Sequence, residues 1–267
     1  MIVKNGLIYK KWIADQTDAL VLLVHGMGAH FDRWQDLALF LKSNNLSSFG
    51  LDLRGFGQTP GLRGHVDSFK IYYEDIKKLR KIMQNEHPGK KIFILGESMG
   101  AVISFSLCLQ CKELFDGIIC VSPAFKSVLK FNPLVLAFIY LCLLIYPRKQ
   151  FLIPFSSSMC TQDVEYLEKM DQDQREHRLA TSRLLFNLVL AQTKSILFKN
   201  KLKISTLFLV AANDSIVSTP MSEKIFQGLS IKDKEIKKYP DMYHALTIDI
   251  NRKCVFEDIK NWMKKHL

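Results

Sequence analysis

Gly96-Glu97-Ser98-Met99-Gly100 stands directly behind the apolar run Lys91-Ile92-Phe93-Ile94-Leu95. A serine between two glycines at a strand-to-helix turn forms a nucleophile elbow, its hydroxyl exposed on a sharp, strained bend. A serine hydroxyl attacks poorly until a neighbouring imidazole takes its proton and an acid orients that imidazole. On this scaffold the order is serine, acid, histidine, the last two in loops after late strands. Asp214 follows the buried run Leu207–Ala212, and His244 lies in the turn Pro240-Asp241-Met242-Tyr243-His244 after the alternating run Glu235–Tyr239. Asp241 is too close in sequence to reach around the imidazole and reads as a turn residue. Glu97 is expected to point off the elbow. His30, His65, His87, His177 and His266 fall in polar loops or on helix surfaces and are expected to be solvated.

Acyl transfer also needs two N–H donors for the oxyanion of the tetrahedral intermediate. Met99, directly after the serine, supplies one. The second is the amide of Met27 in His25-Gly26-Met27-Gly28, the glycine-rich loop after the apolar run Leu20–Val24.

The elements that must hold these groups alternate along the chain. Strands are expected near 6–12, 20–25, 46–52, 91–95, 117–122, 204–212 and 234–239. Helices are expected near 33–43, 68–86, 98–110, 219–228 and 251–265. This order predicts an α/β fold with a mostly parallel central sheet flanked by helices.

Residues 124–195 break the alternation and read as helical throughout. They suggest an inserted helical cap, or lid, on a core of residues 1–123 and 196–267. Asn132 and Pro133 look like an N-cap and first helical position. Leu134–Tyr146 is then apolar on every side for 13 residues, short of the about 20 needed to span a bilayer. Such a helix is either buried or in contact with lipid. Phe138, Ile139 and Leu143 are the expected contacts for an acyl chain, and Arg148 and Lys149 for lipid phosphates.

The 267 residues and 48% hydrophobic content allow a substantial core. The amino terminus lacks a secretory h-region and reads as a first strand. Six cysteines without a regular framework fit reduced thiols, which favours a cytoplasmic protein. Cys108-x-x-Cys111 falls inside a helix without a second pair, so neither metal nor redox chemistry is expected. The net charge of +11 is spread over helix faces without interleaved aromatics, which argues against nucleic acid; it reads either as a solvated basic surface or as peripheral contact with an anionic membrane through the lid.

With these residues in view, the chain resembles serine hydrolases of the α/β-hydrolase superfamily, specifically the monoacylglycerol lipase and lysophospholipase group. The likeness covers nearly the whole chain. It is strongest in H-G-M-G-A-H-F-D-R-W (25–34), D-L-R-G-F-G-Q-T-P-G-L-R-G-H-V-D-S-F (52–69), G-E-S-M-G (96–100), and the A-N-D-S-I-V and Y-P-D-M-Y-H segments. The resemblance implies Ser98 as nucleophile, Asp214 as acid, His244 as base, and Met27 and Met99 as oxyanion donors. It also implies that Asp52 and Arg54 hold a structural loop and that Arg33 serves the polar end of the substrate. One departure is Ala29, which stands where such lipases often carry an acid; another is Ala101 in place of a second glycine after the elbow. The implied activity is cofactor-free hydrolysis of a single-acyl lipid ester, such as monoacylglycerol. A short-chain carboxylesterase, a lysophospholipase or a thioesterase would keep the same machinery. A non-catalytic α/β-hydrolase-like binding protein is the reading from another class.

Overall fold

The computed structural model describes residues 1–267 and begins with a hairpin. Strands β1 (Ile2–Lys4) and β2 (Leu7–Trp12) pair antiparallel about Asn5-Gly6. Both turn residues have positive φ, at 54° and 73°, as a two-residue hairpin turn requires. The single strand expected near 6–12 is therefore the second arm of a pair, and Asn-Gly was its signal.

The chain continues through β3 (Ala19–Val24), α1 (Gln35–Lys42), β4 (Leu46–Leu51), α2 (Phe69–Glu86), β5 (Lys91–Glu97), α3 (Met99–Gln110) and β6 (Gly117–Val121). An inserted stretch follows, with α4 (Pro133–Ile145), β7 (Gln150–Leu152), α5 (Val164–Gln172), β8 (Leu179–Thr181) and α6 (Ser182–Phe198). The chain closes with β9 (Ser205–Ala211), α7 (Thr219–Gln227), β10 (Lys234–Tyr239) and α8 (Arg252–Lys265).

Eight strands form one sheet in the order β1-β2-β4-β3-β5-β6-β9-β10. From β4 onward every pairing is parallel. Parallel strands need helical crossovers, so helices cover both faces. Alternate residues of β3 show this directly. Leu20, Leu22 and Val24 belong to the core shared with α2, α3, α6 and α7, whereas Val21 and Leu23 belong to the one shared with α1 and α8. The carboxyl ends of β3, β5 and β9 thus open at one edge of the sheet, where such folds place ligands.

The insertion is not helical throughout. β7 and β8 pair antiparallel, Gln150 opposite Thr181, and the Thr181 amide donates to Gly64 O at 2.9 Å. The expected boundary at 195/196 falls inside the continuous helix α6. Near its end α6 lies on α3, where Ser195 Oγ is 3.1 Å from Ser106 Oγ.

Helix α4 has the predicted N-cap, the Asn132 side chain accepting from the Leu134 amide at 2.9 Å, followed by Pro133. Only Ile139 and Cys142 of this helix are buried. Leu134 and Leu144 are 80% and 82% exposed. No helix is long and apolar enough to cross a membrane.

Candidate active site

Ser98 joins the end of β5 to the start of α3 with φ 54° and ψ −116°, a conformation costly for any residue with a Cβ. The surroundings hold it there. Its amide donates to Val121 O at 2.9 Å, and its carbonyl accepts from Ala124 N at 3.1 Å. The flanking glycines are obligatory: a Cβ on Gly96 would lie 2.5 Å from Gly100 O, and one on Gly100 would lie 2.2 Å from Val24 O. A Cβ on Gly26 would come within 3.1 Å of Ser98 Cβ, so the loop after β3 lies directly against the serine.

That loop is set by His25. Leu53 N donates to its Nε2 at 3.0 Å, and its Nδ1 lies 2.7 Å from Gly26 O. Because Nε2 accepts, Nδ1 carries the proton and donates to Gly26 O. Burial holds the ring neutral, its pKa lowered to about 3. Beyond it, the Met27 amide donates to no protein acceptor, and neither does the amide of Met99 at the start of α3. Two idle donors beside one serine hydroxyl are what an oxyanion requires.

His244 Nδ1 is 2.7 Å from Asp214 Oδ2, and both side chains are buried. The other oxygen of Asp214 accepts the amides of Ile216 and Val217, each at 2.9 Å. The carboxylate is thus clamped after β9 with one oxygen left for the imidazole. Burial pushes the His244 pKa down, but the charge and hydrogen bond of Asp214, with help from Glu97, outweigh it, and the net shift is upward. Ser98 and His244 make no hydrogen bond to each other but line the same cavity, so a bound substrate can lie between them.

The cavity measures about 460 Å³, and 22 of its 37 lining residues are hydrophobic, which suits an acyl chain. Ile139 and Leu143 of α4 line it with Leu185 and Leu188 of α6. Phe138 does not: its ring packs edge-on against Phe151 at 5.9 Å and is half exposed. On a helix, residues 139 and 143 share a face that 138 leaves, so Phe138 drops out of the expected acyl contacts. Cys160 also lines the cavity, but burial raises its thiol to about 12 and keeps it protonated.

Arg33 lies at the polar end, its side chain 7% exposed. Its Nε donates to Glu176 Oε1 at 3.1 Å, and its Nη2 donates to both Glu176 oxygens at 2.5 Å. Glu176 belongs to the inserted stretch, 143 residues away in sequence, and no local pattern announces it. Glu97 does not point away into solvent. It is buried, lines the cavity and accepts from Thr247 Oγ1 at 3.3 Å.

Four of the five histidines expected to be solvated are tied into the structure instead: His65 Nδ1 lies 3.0 Å from Thr181 Oγ1 and His266 Nε2 3.0 Å from Asp233 Oδ2, and the other two are His30 and His177. His30 is buried and lies 3.0 Å from Asp173 Oδ2. His177 stacks on Phe56 at 5.1 Å, its amide donating to Gly28 O at 3.3 Å. Both tie the inserted stretch to the loop after β3, a contact between segments far apart in sequence. Asp52 holds that loop from below, accepting the amides of Phe31 at 2.8 Å and Gln58 at 2.9 Å. Arg54 pairs with Asp75 at 2.6 Å, as expected of a structural pair.

The sequence profile of the Hydrolase_4 family, described as serine aminopeptidase S33, matches residues 15–251. The chain belongs to this family. It is 27% identical over 255 residues to the human monoglyceride lipase, covering 92% of this hydrolase and 82% of the relative. It is 25% identical to the phospholipase YtpA of Bacillus subtilis, covering 96% and 99% of the two chains. Its fold matches the crystal structure of Paleococcus ferrophilus monoacylglycerol lipase with a TM-score of 0.89 at 22% identity, over 98% and 99% of the two chains. The hydrolase therefore has the α/β-hydrolase fold read from its sequence.

Proposed function

We propose that this hydrolase cleaves the carboxylic ester of single-acyl lipids, foremost a monoacylglycerol, releasing a fatty acid and glycerol. The observation that carries this reading is the apolar-armed cavity that closes over Ser98, His244 and the idle Met27 and Met99 amides. The names of the human and Paleococcus relatives support the same substrate.

Ser98 Oγ attacks the ester carbonyl while His244 Nε2 accepts its proton. Asp214 holds the imidazole with the Nδ1 proton toward its carboxylate and stabilises the imidazolium. The Met27 and Met99 amides take the oxyanion. His244 then protonates the departing alkoxide, and a water activated by the same imidazole releases the acid from Ser98. The apolar lining of the cavity favours a fatty acyl ester.

The inserted stretch serves as a cap whose outer face docks on an anionic bilayer. Residues 124–195 carry nine Lys or Arg against six Asp or Glu, and all six acids fall within 163–176. Lys126, Lys130, Arg148, Lys149 and Lys194, outside that acidic segment, are exposed. Leu134, Leu144 and Ile145 of α4, in the same stretch, are 71–82% exposed. Apolar insertion and attraction to anionic head groups, about 1 kcal/mol per basic residue, act together on such a face.

Hydrolysis of 1-octanoylglycerol and labelling by a fluorophosphonate, both abolished in Ser98→Ala, test the catalytic reading. Labelling at a different residue, or turnover retained by the variant, would refute it.

A further inference from the structure

The cavity is lined by charged side chains as well as apolar ones. Four carboxylates line it, Glu97, Asp171, Asp173 and Glu176, against the guanidinium groups of Arg33 and Arg178. The buried cation, Arg33, is not free, whereas the Arg178 side chain is 40% exposed. Arg33 is held through Nε and Nη2 by Glu176, and Arg178 lies 3.8 Å from Asp171. Asp173 is bound by Arg175 at 2.6 Å and by His30 at 3.0 Å. Glu97 has no cation within ion-pair distance and only the Thr247 hydroxyl as a donor. Around Arg33 the cavity therefore offers carboxylate acceptors, with that buried cation already engaged by Glu176.

We propose that Glu176, by occupying Arg33, and Glu97, by its unpaired carboxylate, make this end a charge filter that admits uncharged polyol leaving groups and rejects phosphate-bearing ones. A glycerol head can donate its hydroxyls to these carboxylates at no charge penalty. A phosphate adds one to two negative charges beside these carboxylates in a partly desolvated site whose buried cation is already taken, where like charges repel strongly. The device depends on the cap, because Glu176 is a cap residue reaching a core arginine. It also separates two tasks: the basic outer face attracts an anionic bilayer, and the acidic inner end spares anionic lysolipids.

This inference rests on the single-acyl ester reading and fixes its head group. Its test compares kcat/KM for 1-octanoylglycerol and 1-octanoylglycerol 3-phosphate, both as monomers in solution so that surface binding plays no part. The unaltered hydrolase should favour the uncharged ester by about a hundredfold or more, two like-charge contacts at about tenfold each. Glu176→Gln keeps the shape and frees Arg33, so the preference should fall at least about tenfold, mainly through a lower KM for the phosphate ester. Glu97→Gln should move it the same way. The double variant Arg33→Gln/Glu176→Gln lacks the freed cation and should regain much of the rejection, which mere loosening of the cap would not produce. Equal rates on both esters without substitution, or equal losses on both in Glu176→Gln, would overturn the filter alone. No turnover of either ester, with Ser98 still labelled by fluorophosphonate, would overturn the lipid reading and the filter with it.

Discussion

Leu53 N donates to His25 Nε2 at 3.0 Å, and that one bond decides which nitrogen of the ring holds the proton. The proton on Nδ1 is then directed at Gly26 O, 2.7 Å away, which leaves the next amide, that of Met27, free of any protein acceptor. The loop after β3 is thereby preorganised, so that in the proposed reaction the oxyanion would meet a fixed donor rather than one that must reorient.

Replacing His25 by Leu removes both bonds and leaves the Leu53 amide buried without a partner, a cost of about 1–3 kcal/mol. Turnover should fall by about tenfold or more with KM little changed, because the lost interaction belongs to the transition state. Steady-state kinetics beside urea unfolding check this. A rise in KM alone would show that the loop serves binding instead.

Strain at Ser98 makes a second measurable difference. Ala at this position keeps a Cβ at φ 54°, whereas Gly does not. Ser98→Gly should therefore unfold at higher denaturant than Ser98→Ala, by about 1 kcal/mol, although both lose activity by several orders of magnitude.

The pH profile carries the sign of the His244 shift. His244 must be neutral to accept the serine proton, and its pKa is raised above the ordinary 6.5. The acid limb of kcat/KM should thus fall at a pH above 6.5 as protonation removes the base. Burial and Arg33 lower that pKa while Asp214 and Glu97 raise it, so Glu97→Gln should move the limb to lower pH. Asp214→Asn should cut kcat by about three to four orders of magnitude, since the amide no longer holds the imidazole in the required tautomer.

The proposed docking of residues 124–195 on a membrane should respond to outward residues only. Ser at Leu134, Leu144 and Ile145 should reduce co-sedimentation with vesicles of phosphatidylglycerol and phosphatidylcholine. Hydrolysis of monomeric 1-octanoylglycerol should stay within about twofold, because surface substitutions away from a site have small effects. Binding by the unaltered chain should also weaken as salt rises, since the basic face acts through screened charge. Undiminished binding by the triple variant would remove α4 from the docking surface.

Much of this arrangement is local and so was legible in the sequence. Gly96-Glu97-Ser98-Met99-Gly100 behind an apolar strand dictates the elbow, because only glycine fits where a Cβ would meet Gly100 O or Val24 O. The alternation of strands and helices dictates a parallel sheet, and that sheet gathers Ser98, Asp214 and His244 at one edge from three distant segments. What the local pattern could not decide was which surface each apolar or charged residue meets. Helices α3 and α4 are both apolar on every side, yet α3 is buried against the sheet and α4 stands in solvent with only two residues covered. Likewise Arg33 and Glu176 meet from 143 residues apart, and Glu97 turns inward toward Thr247. Periodicity reports a side chain's place on its own element, while its partner depends on how elements pack, so the polar end of the cavity exists only in the tertiary structure.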